Sequence, residues 1–534
     1  DGIPLAIEMA AARLNVLTAD QLAARLKDAL GVLTGNSRIA LPRQQTLRAT
    51  LDWSYELLNE AERTVLKRLS VFAGGCTLEA AEAVCADLAS GTIKGSDVLE
   101  HISVLAAKSM VLVQRQAGKE VRYYLLETVR QYAREKLQAA GDADLRRARH
   151  RDYFLSLATL VGDRRGNYRQ PGTFANLRSE ADNLRVALEW SFDEEPDAAA
   201  VPTLVLGAVH AWPSFAEEVD WMKRGVAWCE RHPEVPARLY ARLLIFSDFV
   251  AQDEPQTRFA WLKQSLELSR GLGPEDRVTL SLALFCVAYC YISDVINVDR
   301  AVALLAELDA VLEEIGRDPI STIDYRWRMA YLNNMKADIA NLEGQHRAAL
   351  VHSDKALEFF QGTEDPYLLQ SIAVTRSIAH QHFGEYSEAQ NYLLQALSVI
   401  DAQEGISRLN HEAYLLLALG EINYEQGNLA GAGEYCQLSL KVGKAIPDYT
   451  LIAADLGLAA RIGVKQGQWA RAARLAGAAE AMFGRQKRRL GKDSALDTIL
   501  PGWHNGPARV SIGEAHASGQ TMGSDEAVAY ALDG

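Results

Sequence analysis

The chain has 534 residues, 49% hydrophobic and 23% charged, enough for several domains with substantial cores. A formal net charge of -13 argues against a polybasic binder of nucleic acid or membrane over the whole chain, because both need a positive field. Six cysteines without a CxxC pair argue against a disulfide framework or zinc ribbon, and no apolar run approaches the ~18 residues of a membrane span.

The chain opens on DGIPLAIEMAAAR, where Gly2 and Pro4 introduce a helix with Leu5, Met9, Ala12 and Val16 on its apolar face. Proline suits a first helical turn because its missing N–H had no partner there. Thr18 caps a second helix, with Gln21 closing a capping box. So abrupt a start is expected of the downstream part of a longer protein. A Gly/Asn/Ser-rich break ends at Pro42 and sets a boundary near residue 42.

TLRATLDWSYELL then places Leu47, Leu51, Tyr55 and Leu58 on one helical face, and Asn59 and Glu62 have the spacing of a cap and its third helical residue. Thr77 caps a third helix, and SDVLEHISVLAAKSM supplies a fourth. The period then changes: Met110 to Gln114 and Val121 to Leu126 are two β-rich runs joined by a polar turn containing Gly118. ETVRQYAREKL returns to helix with Leu126, Val129, Ala133 and Leu137 on one side. Helices, a hairpin wing and a helix make a winged-helix domain.

Beyond AAGDADLRRARH the pattern is helical and repeats. Four segments align without gaps from Gly344, Gly384, Gly427 and Gly467, at spacings of 40, 43 and 40 residues. Each has a bulky residue two positions later (His346, Tyr386, Leu429, Trp469) and alanine five later (Ala349, Ala389, Ala432, Ala472). A small residue follows twelve positions after the glycine (Ala356, Ala396, Ser439, Ala479), so paired helices can approach closely while the bulky side chain fills the groove beside them. The pattern resembles the tetratricopeptide repeat with longer periods. VDRAVALLAELDAVLEEI and RFAWLKQSLEL read as degenerate units of the same array.

No catalytic constellation is visible. The sequence has no GxxxxGK[ST] phosphate loop, nucleophile elbow or HExxH, so no catalytic or metal-binding residue is assigned and this chain alone is not expected to be an enzyme. Cys286 and Cys290, one helical turn apart, read as core packing, and His380 and His382 as ordinary helix-end residues. The basic runs RRARHR (Arg146 to Arg151) and RQKRR (Arg485 to Arg489) read as solvated helix ends sooner than nucleic-acid contacts. The helix that would enter a DNA groove, Asp97 to Met110, sets Asp97 and Glu100 against His101 and Lys108, a near-neutral balance that releases few counterions.

In order along residues 1 to about 190, GIPLAIEMAAARL, LPRQQTLRATLDWSYELL, LKRLSVFAGGCTLEAAEAV, YYLLETVRQYA and EADNLRVALEW resemble the region after the nucleotide-binding core in bacterial signal-transduction ATPases with numerous domains, the STAND class. The repeats fit the same regulators, whose relatives include MalT-like, AfsR-like and LuxR-type activators. The resemblance implies a switch made of a P-loop ATPase, a helical lid and a winged helix, with repeats that sense a ligand or partner. It implies that Gly2 and Pro4 face the nucleotide base once an upstream ATPase core is present. Related NB-ARC ATPases carry Met-His-Asp at the end of the wing, where Leu125, Leu126 and Glu127 align here. Leu126 has no hydrogen to donate to a phosphate, so the sequence departs at the sensor position, and Glu127 is expected to cap the following helix.

The expected fold is mainly α, a winged-helix domain with a small β-hairpin followed by an α-solenoid of tetratricopeptide-like pairs. Residues 1–42 would close an NB-ARC-like ATPase module, 43–141 form the winged helix, 142–200 connect, 201–485 form the repeats and 486–534 a C-terminal cap. The expected function is the sensing and relay portion of an ATP-dependent, cytoplasmic regulator, most naturally of transcription. Its repeats would bind a small-molecule inducer or protein partner, nucleotide would shift closed ADP and open ATP populations, and any oligomer would depend on nucleotide. ATP or ADP with magnesium would belong to the full-length protein and none to this chain alone; DNA would be read by a domain elsewhere, and no membrane is involved. The alternatives are a nucleotide-independent protein-interaction scaffold and direct DNA binding by this chain.

Overall fold

The computed structural model describes Gln21 and residues 47–87, 91–115, 120–163, 177–194, 197–209, 211–212, 214–247, 255–293, 297–316, 322–361, 365–400, 406–444, 449–485, 496–501, 503 and 509–533. Gly2, Pro4, the two helices expected before residue 30, the break at Pro42, the wing turn at Gly118 and most of RQKRR lie outside the described residues. The chain falls into two compact units, one reaching Leu239 and the other continuing from Tyr240.

The first unit begins with α1 (Leu47–Glu56), α2 (Glu60–Leu69), α3 (Leu78–Cys85) and α4 (Gly95–Ala107). The expected capping box starts α2: Asn59 Oδ1 accepts the Glu62 N–H at 2.8 Å and the Glu62 carboxylate accepts the Asn59 N–H at 3.0 Å. Thr77 caps α3 by a single bond, its Oγ1 accepting the Ala80 N–H at 3.2 Å. Strands β1 (Leu112–Gln114) and β2 (Arg122–Tyr124) form the antiparallel wing with Leu112 opposite Tyr124, and α5 (Glu127–Ala139) follows. The strands are shorter than expected because Met110 and Val111 turn into the core instead of pairing. The other edge of β2 is partly closed, since Cys76 and Tyr123 exchange both backbone hydrogen bonds at 2.9 Å. The helical core is closed by Val65, Leu66, Val98, Ile102, Leu105 and Ala133, all without solvent exposure. Burying such side chains contributes about 1.5–3 kcal/mol each. The unit continues through α6 (Ala143–Asp163), α7 (Ala181–Glu194), α8 (Ala200–Gly207) and α9 (Phe215–Arg231).

From α10 (Ala237–Phe246) the architecture is a succession of helical pairs: α11 (Pro255–Arg270), α12 (Arg277–Ser293) with α13 (Val298–Gly316), α14 (Thr322–Leu342) with α15 (His346–Phe360), α16 (Pro366–His382) with α17 (Tyr386–Ile400), α18 (Ile406–Glu425) with α19 (Leu429–Gly443), and α20 (Tyr449–Lys465) with α21 (Trp469–Arg485). The four aligned glycines sit in the same turn, with φ of 75°, 74°, 77° and 75°, a left-handed conformation that glycine adopts without steric cost. The small positions are the helix contacts: Ala349, Ala389, Ala432, Ala472, Ala356, Ser439 and Ala479 are fully buried. The bulky positions diverge, for Trp469 is 52% exposed whereas His346, Tyr386 and Leu429 are half-buried. A mainly α, solenoid-like array of tetratricopeptide-like pairs is therefore what the spacing encodes.

The C-terminal segment packs as part of this core. Through α22 (Leu496–Ile499), α23 (Arg509–Gln520) and α24 (Ser524–Leu532), Leu496, Ile512, Ala527 and Val528 join a cluster with Leu456, Leu475 and Ala476. Among the described residues, no helix is long and apolar enough to cross a membrane.

Candidate relay and sensor sites

The motif EADNLR is a polar clamp on the wing. Glu180 forms a salt bridge with Arg122 of β2, whose guanidinium also donates to the Gly74 carbonyl at 3.1 Å. Asn183, fully buried, accepts from the Ala73 N–H at 3.0 Å and donates to the Gly75 carbonyl at 2.8 Å and to Glu180 at 2.7 Å. One side chain thus ties the start of α7 to the AGG loop beside the wing, and Arg122 ties that loop to the wing itself. His150 of α6 lies 3.4 Å from Asn183 Oδ1 between Phe72 and Phe154. Burial lowers its pKa to about 4, so it is a neutral ring at physiological pH. Sequence reading quoted EADNLR only as part of a resemblance; the signal available was an Asn and a Glu beside apolar helix positions, where burial demands partners.

The basic run RRARHR corrects the expectation of a solvated helix end. Arg146, His150 and Arg151 are buried. Arg146 donates to the Val84 and Ala86 carbonyls at 3.0 and 2.9 Å, Arg149 donates to Ala86, and Arg68 donates to the Cys85 carbonyl at 2.7 Å. Three guanidiniums therefore satisfy the free carbonyls at the C-terminus of α3 and meet the negative end of its dipole. Asp87 and Asp142 balance them. Burial works against the Asp87 carboxylate, yet the Ile93 N–H and the guanidiniums of Arg68 and Arg146 hold it down at about 2.

At the end of the wing, Leu126 is half-buried and occupies the N-cap of α5 without a side-chain cap bond. Glu127 is the first helical residue, and its carboxylate accepts from Arg130 at 2.8 and 2.7 Å. Glu127 therefore does not cap α5 through a side-chain bond, because its neighbour one turn on takes both oxygens; only its favourable place by the helix dipole remains. Neither side chain offers a hydrogen to a phosphate.

The face of α4 available to a groove carries Ser96, Leu99, Glu100 and Ser103. Lys108, the cation expected there, is exposed but paired: its Nζ reaches the Glu62 carboxylate at 2.6 Å. Leu99 is 43% exposed, and β1 exposes Leu112 and Val113 by 46% and 38%.

In the second unit, polar side chains link successive pairs. Asp365 caps α16 through the Tyr367 and Leu368 N–H groups and accepts from Trp327 Nε1 at 2.7 Å and the Tyr331 hydroxyl at 3.1 Å. His380 pairs with Glu385 at 2.7 Å, and His382 stacks on His346 with ring centroids 3.8 Å apart. Among the described residues, no group of three or more His, Cys, Asp or Glu could hold a metal. Cys286 is half-buried and Cys290 buried, and neither is in a disulfide.

Residues 58–138 match the winged helix-turn-helix domain family. Over 403 residues the chain is 31% identical to a candidate HTH-type transcriptional regulator of Mycobacterium bovis, covering 73% of this chain and 43% of the relative. The same figures hold for the corresponding protein of Mycobacterium tuberculosis strain H37Rv. The chain thus spans less than half the length of the curated relatives it matches. Among solved structures it is similar, with a TM-score of 0.45 and 16% identity over 96% of this chain and 71% of the other, to a STAND protein with a tetratricopeptide repeat sensor from Pyrococcus horikoshii.

Proposed function

We infer that this chain, a STAND-like regulator with a winged helix-turn-helix domain and a helical-repeat array, is the relay and sensing portion of a larger regulator of transcription. Its repeats take up an inducer or protein partner, and its winged helix passes the change to another module through a protein surface. The observation that carries this is the face of α4, which presents Leu99, Glu100 and Ser103 while Lys108 is tied to Glu62. Duplex binding rests on phosphate neutralisation by Lys and Arg, and α4 itself carries none, with Lys94 before it and the paired Lys108 after it.

ATP or ADP with magnesium is proposed for the full-length protein only. The described end of the wing does not fit a nucleotide phosphate, since Leu126 is apolar and the Glu127 carboxylate is paired with Arg130. No step is derived through the nucleotide. That mismatch favours, as a second reading, a scaffold that binds proteins without nucleotide control.

Two measurements test the proposal. The chain should not be retained on duplex DNA at about 50 mM salt, and retention that falls steeply with salt would replace the relay by direct DNA binding. In the full-length protein, ADP and ATP should give different protease-cleavage patterns in the winged helix; identical patterns would leave the scaffold.

A further inference from the structure

Tyrosines stand on the first helices of four successive pairs: Tyr289, Tyr331, Tyr367 and Tyr414. The ring of Tyr331 (α14) stacks with that of Tyr367 (α16), centroids 6.2 Å apart, and the Tyr367 hydroxyl donates to that of Tyr289 (α12) at 3.4 Å. Ionisation of Tyr367 is suppressed first by Tyr289 and then by burial, with Tyr414 (α18) and Asp338 (α14) acting in the same direction. Asp338 Oδ1 accepts from the Thr375 hydroxyl at 2.5 Å, and its Oδ2 lies 3.4 Å from Asn334 Nδ2. Asn334 is 2% exposed, donates to Ser371 Oγ at 2.8 Å, and has no partner for Oδ1.

The cations nearby in sequence are engaged elsewhere. Lys336 pairs with Asp309, Arg376 with Asp354, and Arg328 donates to Ser281 and lies over the Trp327 ring. Among the described residues, no salt bridge ends on Asp338. Burial accordingly pushes its carboxyl up to about 7, although the residue keeps contact with solvent. A desolvated carboxyl beside an unpaired amide oxygen is an unfavourable arrangement that native proteins rarely leave unanswered. Aromatic faces attract cations, and more strongly where water is excluded.

We propose that α12, α14, α16 and α18 build a binding site for a small organic cation, a primary ammonium or guanidinium. Its charge pairs with Asp338, its N–H donates to Asn334 Oδ1, and the rings of Tyr331 and Tyr367 face it. This deepens the reading of the repeats as the sensor by naming the ligand chemistry. Its test reads binding directly, so failure here leaves the relay reading standing, and failure of the relay leaves this site standing.

The experiment is calorimetric titration of the whole chain with putrescine and agmatine, with 1,4-butanediol as the uncharged control. A Gly-Lys-Gly peptide separates a free amine from a lysine side chain. An amine should bind and the diol should not. Asp338→Asn should weaken binding by about 30-fold or more at about pH 8, the cost of removing one partner of a desolvated charge pair. Asn334→Leu should also weaken it, which keeps the test open should the first variant fold poorly. Tyr367→Phe, which keeps the ring, should change affinity by less than about threefold. Near pH 6.5 binding should release protons, seen as heat that varies with the buffer, as a cation draws Asp338 into its ionised form. The other titratable groups facing the site are the Tyr289, Tyr367 and Tyr414 hydroxyls, His411 edge-on to Tyr367, and Asp365, held by Trp327 and Tyr331. Absence of amine binding at about 10 mM, or equal binding by Asp338→Asn, overturns the proposal.

Discussion

Asn183 donates its amide hydrogen to the Gly75 carbonyl at 2.8 Å across 108 residues of sequence, while its Oδ1 accepts the Ala73 N–H at 3.0 Å. The pair fastens the helix after the winged domain to the loop that supports the wing. Any change carried along α6 and α7 therefore reaches β2 through short hydrogen bonds rather than through soft apolar contact.

Replacing Asn183 by alanine leaves the Ala73 N–H without its partner and takes the short amide hydrogen bonds from the Gly75 carbonyl and Glu180, which then keep only Arg122. The expected loss is about 2–4 kcal/mol in the first unit, from the desolvation cost of the group left unpaired and the hydrogen bonds lost. Urea unfolding followed by tryptophan fluorescence measures it. A loss below about 0.5 kcal/mol would mean that water or a neighbour replaces the clamp without penalty.

His150 makes the first unit acid-sensitive. Its folded pKa is lowered from 6.5 to about 4 by burial, so between those values the unfolded chain binds more protons and stability rises with pH. The contribution is complete above pH 6.5 and is lost as pH falls to about 4, amounting to about 3 kcal/mol. Asp338 works with the opposite sign in the second unit, because its raised pKa withdraws stability as pH rises to about 7. The comparison is therefore between the native chain and His150→Gln, whose stability difference should depend on pH only in the window between 4 and 6.5. A difference that is flat across that window would show that His150 is charged in the fold.

Arg146 and Arg147 are neighbours in the basic run with opposite expected effects. Arg146→Ala strips the C-terminus of α3 and leaves Asp87 and Asp142 undercompensated, which should cost about 3 kcal/mol. Arg147 makes a single 3.6 Å contact with an exposed Asp144, so Arg147→Ala should change stability by less than about 0.5 kcal/mol. Paired thermal melts decide it; equal small losses would return the run to the solvated helix end first expected.

Two glycines separate backbone strain from steric collision. At Gly384 a Cβ meets nothing within 4 Å, so Gly384→Ala bears only the left-handed φ of 74°, about 1–2 kcal/mol. At Gly477 a Cβ would lie 2.2 Å from the His516 carbonyl oxygen, which is backbone and cannot swing aside. Gly477→Ala should therefore detach α23 from α21 and release the C-terminal helices, read as early protease cleavage after residue 485. Intact α23 in that variant would show that the two helices slide apart freely.

Local chemistry was legible wherever neighbours in sequence settle it. Asn59 with Glu62, Thr77, the wing and the four turn glycines all stand where their spacing put them, since caps and left-handed turns involve residues only a few positions apart. Trp469 shows the limit: its position in the repeat matched that of Tyr386, yet it is exposed because burial depends on which helix lies opposite.

Charge was the property that sequence could count but not place. Arg146 to Arg151 read as a surface run, and only the fold turned Arg146, Arg149 and Arg68 together onto the end of α3. Lys108 read as a cation of the groove helix and became the partner of Glu62. The sequence by itself determined the helical pairs and their turns, because these follow from periodicity and backbone preference. The tertiary structure alone decided the clamp at Asn183 and the tyrosine site at Asp338, because each gathers side chains from separate helices whose meeting depends on packing.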